Sequence, residues 1–190
     1  MNKAQIILVR HGEDEDNANA ILNGHRDNPL TEKGKLQARE TGQRLKNQQI
    51  DIIYSSPLKR AYDTAVIIAK ELKTGLKVNV HPKLIERNFG ILTGKPLLDI
   101  PLYSNDLLIT KEVTYFLSAE GAEDFPTVLK RAKEFVDELN TKHPGQTILV
   151  VTHGDAGRTI RAAYYGWDWR KSLKISPFHN ADFIVLQPNA

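Results

Sequence analysis

Residues 5–16 read QIILVRHGEDED: four aliphatic residues behind a glutamine, then a cation, an imidazole, a glycine and four acids. The aliphatic run from Gln5 to Val9 is too short for a helix and reads as a buried strand, so Arg10 and His11 stand where that strand leaves its sheet. In open α/β sheets that carboxyl edge is where ligands bind. Residues 147–152, TILVVT, form the clearest buried strand in the chain and end in the same way, at His153-Gly154. Further strands are read at Ile50–Tyr54, at Leu76–Val80 and near Ala181–Leu186.

Between the strands the apolar spacing changes to three and four. PLTEKGKLQARETGQRLKN predicts a helix capped by Thr31 and running to about Asn47. In SSPLKRAYDTAVIIAKEL, Ser56 can cap a helix with Pro57 in its first turn, and Leu58, Ala61, Ala65, Ile68 and Leu72 form its core-facing stripe. Asp124 caps a third helix with Pro126 in its first turn and an apolar face of Phe125, Val128, Leu129, Ala132, Val136 and Leu139. A fourth runs from about Ala156 to Tyr165. Residues 91–118 show no clean period and contain two prolines, so they read as an irregular, lid-like insertion with short helical pieces. Strands alternating with helices imply an α/β fold, a three-layer sandwich whose mostly parallel sheet is flanked by helices.

Composition sets the outer bounds. A chain of 190 residues, 41% hydrophobic and 26% charged, is ordinary for one globular domain, and residues 1–190 are read as one. Without cysteine, disulfides and thiolate metal sites are excluded. The apolar run at the N-terminus is too short for a signal peptide and nothing approaches membrane-spanning length, so the expectation is a cytoplasmic protein with no membrane partner. A net charge of +3 and a pI near 9.0, with basic residues scattered, do not suggest nucleic-acid binding.

Three strands deliver the same chemistry. The first brings Arg10 and His11, the second brings Arg60 one turn into the following helix, and the strand near residue 150 brings His153. On one edge of a parallel sheet these two guanidiniums and two imidazoles form a site for a small dianion, with phosphate the obvious candidate. A metal at His11 and His153 is the rival reading, but neither H-x-x-x-H nor paired acid-histidine spacing accompanies them. His25, His81, His143 and His179 have no such context and read as surface or loop residues. Trp167 and Trp169 are expected to pack.

The residues resemble the histidine phosphatase superfamily, which includes cofactor-dependent phosphoglycerate mutases and many metabolite phosphatases. Arg10-His11-Gly12-Glu13 matches its RHG signature, with Asn17 at the expected offset. Gly24, Asp27 and PLTEKG from Pro29 to Gly34, continuing to Gln37 and Ala38, are similar to its second block. SSPLKRAYDTA from Ser55 to Ala65 resembles the third, Leu84, Glu86, Phe89, Gly90 and Gly94 the fourth, and Val151 to Gly154 the second-histidine block. The likeness runs from about residue 5 to residue 186.

That resemblance implies a phosphoglycerate mutase-like fold and a phosphohistidine mechanism. His11 is the implied nucleophile, Arg10, Arg60 and His153 the implied clamp on the phosphoryl oxygens, and Glu86 the implied proton donor. Asn17, Gly24 and Gly154 are implied substrate-binding positions. No metal or other cofactor is expected, because the cations supply the positive charge. The expected activity is hydrolysis of a small phosphorylated metabolite. The alternatives are a cofactor-dependent phosphoglycerate mutase and a phosphate-ligand binding module with little turnover. A homodimer is left open.

The chain departs from the family pattern in three places. Asp14 stands where the family places a hydroxyl or small residue; it reads as part of a solvated acidic loop, with a cationic substrate group or impaired activity as the sharper alternatives. In EGAEDF, Glu123 falls eight residues before Arg131, the spacing of a family Glu-Arg pair, with Ala122 and Asp124 replacing glycine and serine. The lid offers only Lys95 and Lys111 where mutases carry paired arginines, which favours hydrolysis.

Overall fold

Strands β1 (Gln5–Arg10) and β6 (Thr147–Thr152) lie parallel in the middle of a five-stranded sheet, with Gln5 opposite Thr147 and Arg10 opposite Thr152. This computed structural model describes residues 3–175 and 178–187. The remaining elements, in chain order, are α1 (Glu15–Ala18), α2 (Glu32–Arg44), β2 (Ile52–Ser55), α3 (Lys59–Leu72), β3 (Val78–Val80), α4 (Ile100–Tyr103), β4 (Leu107–Ile109), β5 (Thr114–Phe116), α5 (Phe125–Lys142), α6 (Gly154–Tyr165), α7 (Trp169–Leu173) and β7 (Phe183–Leu186). The sheet order is β3-β2-β6-β1-β7, parallel except for β7, which runs antiparallel to β1 at the edge.

Period-two alternation splits the central strands between two cores. Ile6, Leu8, Ile148 and Val150 meet Phe135, Val136 and Leu139 of α5 and Ile160 and Tyr164 of α6 on one face. Ile7, Val9, Leu149 and Val151 meet Ala61, Ala65 and Ile68 of α3 on the other, and α2 packs against α3. The three layers follow from that alternation.

The helix starts are mostly as expected. Thr31 accepts from Gly34 N at 3.0 Å, and Asp124 accepts from Thr127 N at 2.8 Å with Pro126 in the first turn. The exception is Ser56, which does not cap α3: that helix begins at Lys59, and its Lys59 N–H donates instead to Asp27 Oδ1 from a distant loop at 2.6 Å. Pro57 consequently lies before the helix. Residues 91–118 are more regular than the sequence suggests. They hold the β4–β5 hairpin as well as α4, and Leu92, Ile100 and Phe116 pack with Leu22 and Phe89 into a small core of their own. The five-residue helix α7, which the sequence pattern does not show, is held by Trp169 stacked on Phe125 with ring centroids 5.0 Å apart.

Candidate active site

The parallel register puts the ends of β1, β2 and β6 at one edge of the sheet, so Arg10, His11, Ser56 and His153 arrive together. The His11 and His153 rings are 5.1 Å apart. His11 Nδ1 lies 2.7 Å from the Gly12 carbonyl, an acceptor, so the proton sits on Nδ1 and the Nε2 lone pair faces outward. Arg60 Nε donates to that lone pair at 3.3 Å. Burial, with Arg60 and then Arg10 nearby, holds the His11 pKa well below its ordinary value, so the ring is neutral and keeps its lone pair on Nε2. His153 is likewise held neutral by burial and by Arg60. Its Nε2 is bonded to Ser56 Oγ at 2.7 Å, which is the use the structure finds for Ser56. His153 Nδ1 and Arg10 Nε are buried without a protein partner, polar atoms that suit the oxygens of an anion.

The loop carrying His11 is anchored by the matching sequence blocks. Gly12 N donates to Thr64 Oγ1 and Glu13 N to Gln37 Oε1, while Thr31 Oγ1 donates to Glu13 Oε1. Gly12 and Gly34 approach so closely that a Cβ on either would overlap backbone of the opposite segment. Ser56, Arg60 and Thr64, spaced by four, thus each hold one part of the His11 and His153 loops.

Arg60 is 1% exposed; its Nη2 donates to the Gly24 carbonyl at 2.9 Å and its Nη1 to the Arg26 carbonyl. Gly24 therefore contributes a backbone acceptor that orients Arg60. Asn17 Oδ1 accepts from Asn180, whose amide also donates to the His11 carbonyl. Gly154 opens α6 beside Glu86.

Glu86 sits at the N-terminus of α6 and is 6% exposed. Its Oε1 accepts from Arg87 N and Ala156 N at 2.8 and 3.0 Å. Burial, followed by the neighbouring Asp155 carboxylate, nonetheless raises its pKa, so these amides do not fully compensate. Arg131 secures its backbone: bonded twice to Glu123, it also donates to the carbonyls of Lys83, Ile85 and Glu86. His25, read as an unremarked loop residue, also bonds the Glu86 carbonyl through Nε2 at 2.7 Å.

Asp14 requires a correction. It is not a solvated loop acid but fully buried, capping α1 through Asn17 N at 2.8 Å, accepting from Asn23 Nδ2 at 2.6 Å and lying 3.3 Å from Arg60 Nε. The small hydroxyl position of the family has become an inward carboxylate paired with Arg60. Burial raises its pKa against the opposing effects of Asn17 and Arg60.

A cavity of about 170 Å³ adjoins this cluster, and its lining includes Arg10, Asn17, Glu86 and Gly154. The same lining includes the apolar Leu97, Ile100 and Phe116 and the polar Tyr115, Asp155 and Arg158. Asn23, Ser56, Asn180, Asp155 and Arg158 were not singled out as site residues by sequence reasoning; only Ser56 carried a signal, through its place in a matching block. Among the described residues no cluster of histidine and acid side chains has the arrangement of a metal site.

The chain belongs to the histidine phosphatase superfamily: the family model for its branch 1 matches residues 6–190. It is 35% identical over 183 residues to phosphoserine phosphatase 1 of Hydrogenobacter thermophilus, covering 96% of this chain and 85% of that one. It is 34% identical to a 2,3-bisphosphoglycerate-dependent phosphoglycerate mutase of Bradyrhizobium diazoefficiens, over 84% of this chain and 80% of the relative. The solved structure of the mycobacterial glucosyl-3-phosphoglycerate phosphatase with VO3 superposes with a TM-score of 0.82 at 25% identity, over 97% of this chain and 91% of that one.

Proposed function

We propose that the protein is a metal-independent phosphomonoesterase that hydrolyses a small phosphorylated metabolite through phospho-His11. The observation that carries this reading is the neutral His11, with Nε2 outward and Nδ1 held by Gly12, beside Arg10, Arg60 and His153 and near the buried Glu86.

The steps follow from those positions. His11 Nε2 attacks phosphorus in line as the ester P–O bond breaks, and protonated Glu86 gives its proton to the departing alkoxide oxygen. Arg10, Arg60 and His153 hold the equatorial oxygens, since phosphoryl transfer depends mainly on positioning and charge stabilisation. Water then attacks the phosphohistidine while Glu86 takes its proton, the N–P bond breaks, and phosphate leaves. The raised Glu86 pKa suits a group that must begin as an acid. Arg10 and Arg60 supply the positive charge, and neutral His153 a hydrogen bond, that a metal would otherwise provide, which supports turnover in chelator.

The names of the relatives make phosphoserine and phosphoglycerate the first substrates to test. A mutase reading is supported by one of them, but among the described residues no lid arginine lines the cavity, which favours hydrolysis. The chain is read as one domain, residues 91–118 forming the lid. A single cooperative unfolding transition is the expected result.

The test is p-nitrophenyl phosphate hydrolysis in EDTA, followed by acid-labile phosphorylation of the protein. His11-dependent phosphate release and a trapped phosphohistidine support the proposal. Full activity in His11→Ala overturns it.

A further inference from the structure

Arg158 lies on α6 one turn beyond Glu86's helix-end seat and is 7% exposed. Among the described residues its one side-chain hydrogen bond is from Nη1 to the Ile175 carbonyl at 3.3 Å, and it pairs with no carboxylate. The nearby Asp155 is engaged elsewhere, by Arg87 Nε at 2.8 Å. Arg87 is itself enclosed by Phe116 and Phe125, its guanidinium 3.9 and 4.4 Å from their ring centroids. Two buried arginines thus share this region, and among the described residues Arg87 has a carboxylate partner and Arg158 has none.

Arg158 also borders two cavities. It lines the cavity that adjoins Arg10 and Glu86, and with Tyr115 and Val113 it also lines a second recess of about 190 Å³. The recess adds Lys111 from the β4–β5 turn and Lys174 after α7, against one acid, Glu112. Cations therefore line the two spaces in succession, Arg10 the first, Arg158 both, and Lys111 and Lys174 the second. The bland alternative is that Arg158 only ties α6 to the chain at Ile175. Among the described residues, a single 3.3 Å bond and the Tyr115 ring 5.6 Å away leave most of a five-donor guanidinium for another partner.

We propose that Arg158 is a specificity-determining residue that binds a carboxylate on the leaving group, with Lys111 and Lys174 reinforcing it electrostatically. This rests on the phosphatase reading and refines it: the substrate is a phosphate monoester whose alcohol carries a carboxylate a few bonds from the ester oxygen. Planar, bidentate recognition of a carboxylate is the chemistry a guanidinium supplies and a lysine does not.

Two matched substrate pairs test it: O-phosphoserine against O-phosphoethanolamine, and 3-phosphoglycerate against glycerol 3-phosphate, each pair differing by the carboxylate. The full chain should favour the carboxylated member by about 10- to 100-fold in kcat/KM, as expected for a charge-assisted contact. Arg158→Gln should bring each ratio close to one, mainly through KM, and Arg158→Lys should retain part of it. Lys111→Ala, at an exposed position, should reduce the ratios only about two- to threefold. Equal rates for both members of each pair, alongside brisk p-nitrophenyl phosphate hydrolysis, would overturn the inference without touching the phosphatase reading. So would an equal loss on both members in Arg158→Lys. If Arg158→Gln fails to fold, the wild-type ratios and the lysine variant still decide. No hydrolysis of any of the five compounds overturns the phosphatase reading, and this inference with it.

Discussion

One region of the site, Arg10, His11, Arg60 and His153, hangs from strand ends and an adjoining helix, tied to Gly12, Ser56 and Thr64 by bonds between buried groups. The other, Leu97, Ile100 and Phe116 in the lining of the adjoining cavity, comes from a 3-10 turn, a one-turn helix and a three-residue strand, and neighbouring Leu98 and Leu102 are 91% and 76% exposed. The first region has few freedoms and fixed partners; the second rests on a small satellite core. Such a division places the group common to many esters in the rigid part and the variable group where substitution costs less.

The contrast can be broken in the rigid region first. His11→Ala should reduce turnover by about 10⁴-fold or more while leaving the far-UV circular dichroism spectrum intact, because it removes the proposed nucleophile. Glu86→Gln should cost about 10²- to 10⁴-fold on substrates with poor leaving groups, read from steady-state kinetics. Its pH profile adds a sign. Glu86 must be protonated for the first step and its pKa is raised, so wild-type activity falls as pH rises through that value. The glutamine variant should lack this limb.

Asp14→Ser is a finer probe. A carboxylate paired with Arg60 competes with the substrate phosphate, so its removal should lower KM about 10-fold at pH 8. Burial raises the Asp14 pKa, so acidification neutralises it more readily than an ordinary carboxylate, and the gain over wild type should shrink as the pH is lowered. A KM unchanged across that range would show that Asp14 serves only to hold Arg60. The smallest effect is expected in the other region: Leu98→Ser should leave p-nitrophenyl phosphate hydrolysis and Tm nearly unchanged, within about 0.5 kcal/mol of stability. A large loss would mean that the lid surface is part of the machinery.

Much of the rigid region was legible because each element there obeys a local rule. Gln5–Arg10 and Thr147–Thr152 are aliphatic runs of strand length, and Thr31 and Asp124 are caps whose bonds the structure contains. The block containing Thr31, Gly34 and Gln37 also had a readable match, although only the fold reveals that it braces Glu13. Asp14 was misread because its burial depends on Asn23 and Arg60, distant partners that a run of four acids conceals. Ser56 has the chemistry of a cap, but the nearby imidazole of His153 claims its hydroxyl. The β4–β5 hairpin escaped notice because strands of three residues are too short to establish a period, and α7 because its stability comes from Trp169 stacking on Phe125 rather than from its own pattern.

The sheet order also governs when this protein can become active as it is made. β1 precedes the other described strands in the chain, yet its neighbours are β6 and β7, and the carbonyls of Arg10 and His11 both accept from Ala181 N. On the ribosome, therefore, residues 5–10 wait unpaired while more than a hundred others emerge, and the His11 loop gains its last backbone contacts only when residue 181 is free of the exit tunnel. A nascent chain stalled near residue 145 would carry His11 and Arg60 but neither flanking strand of β1, leaving an aliphatic edge exposed to aggregation.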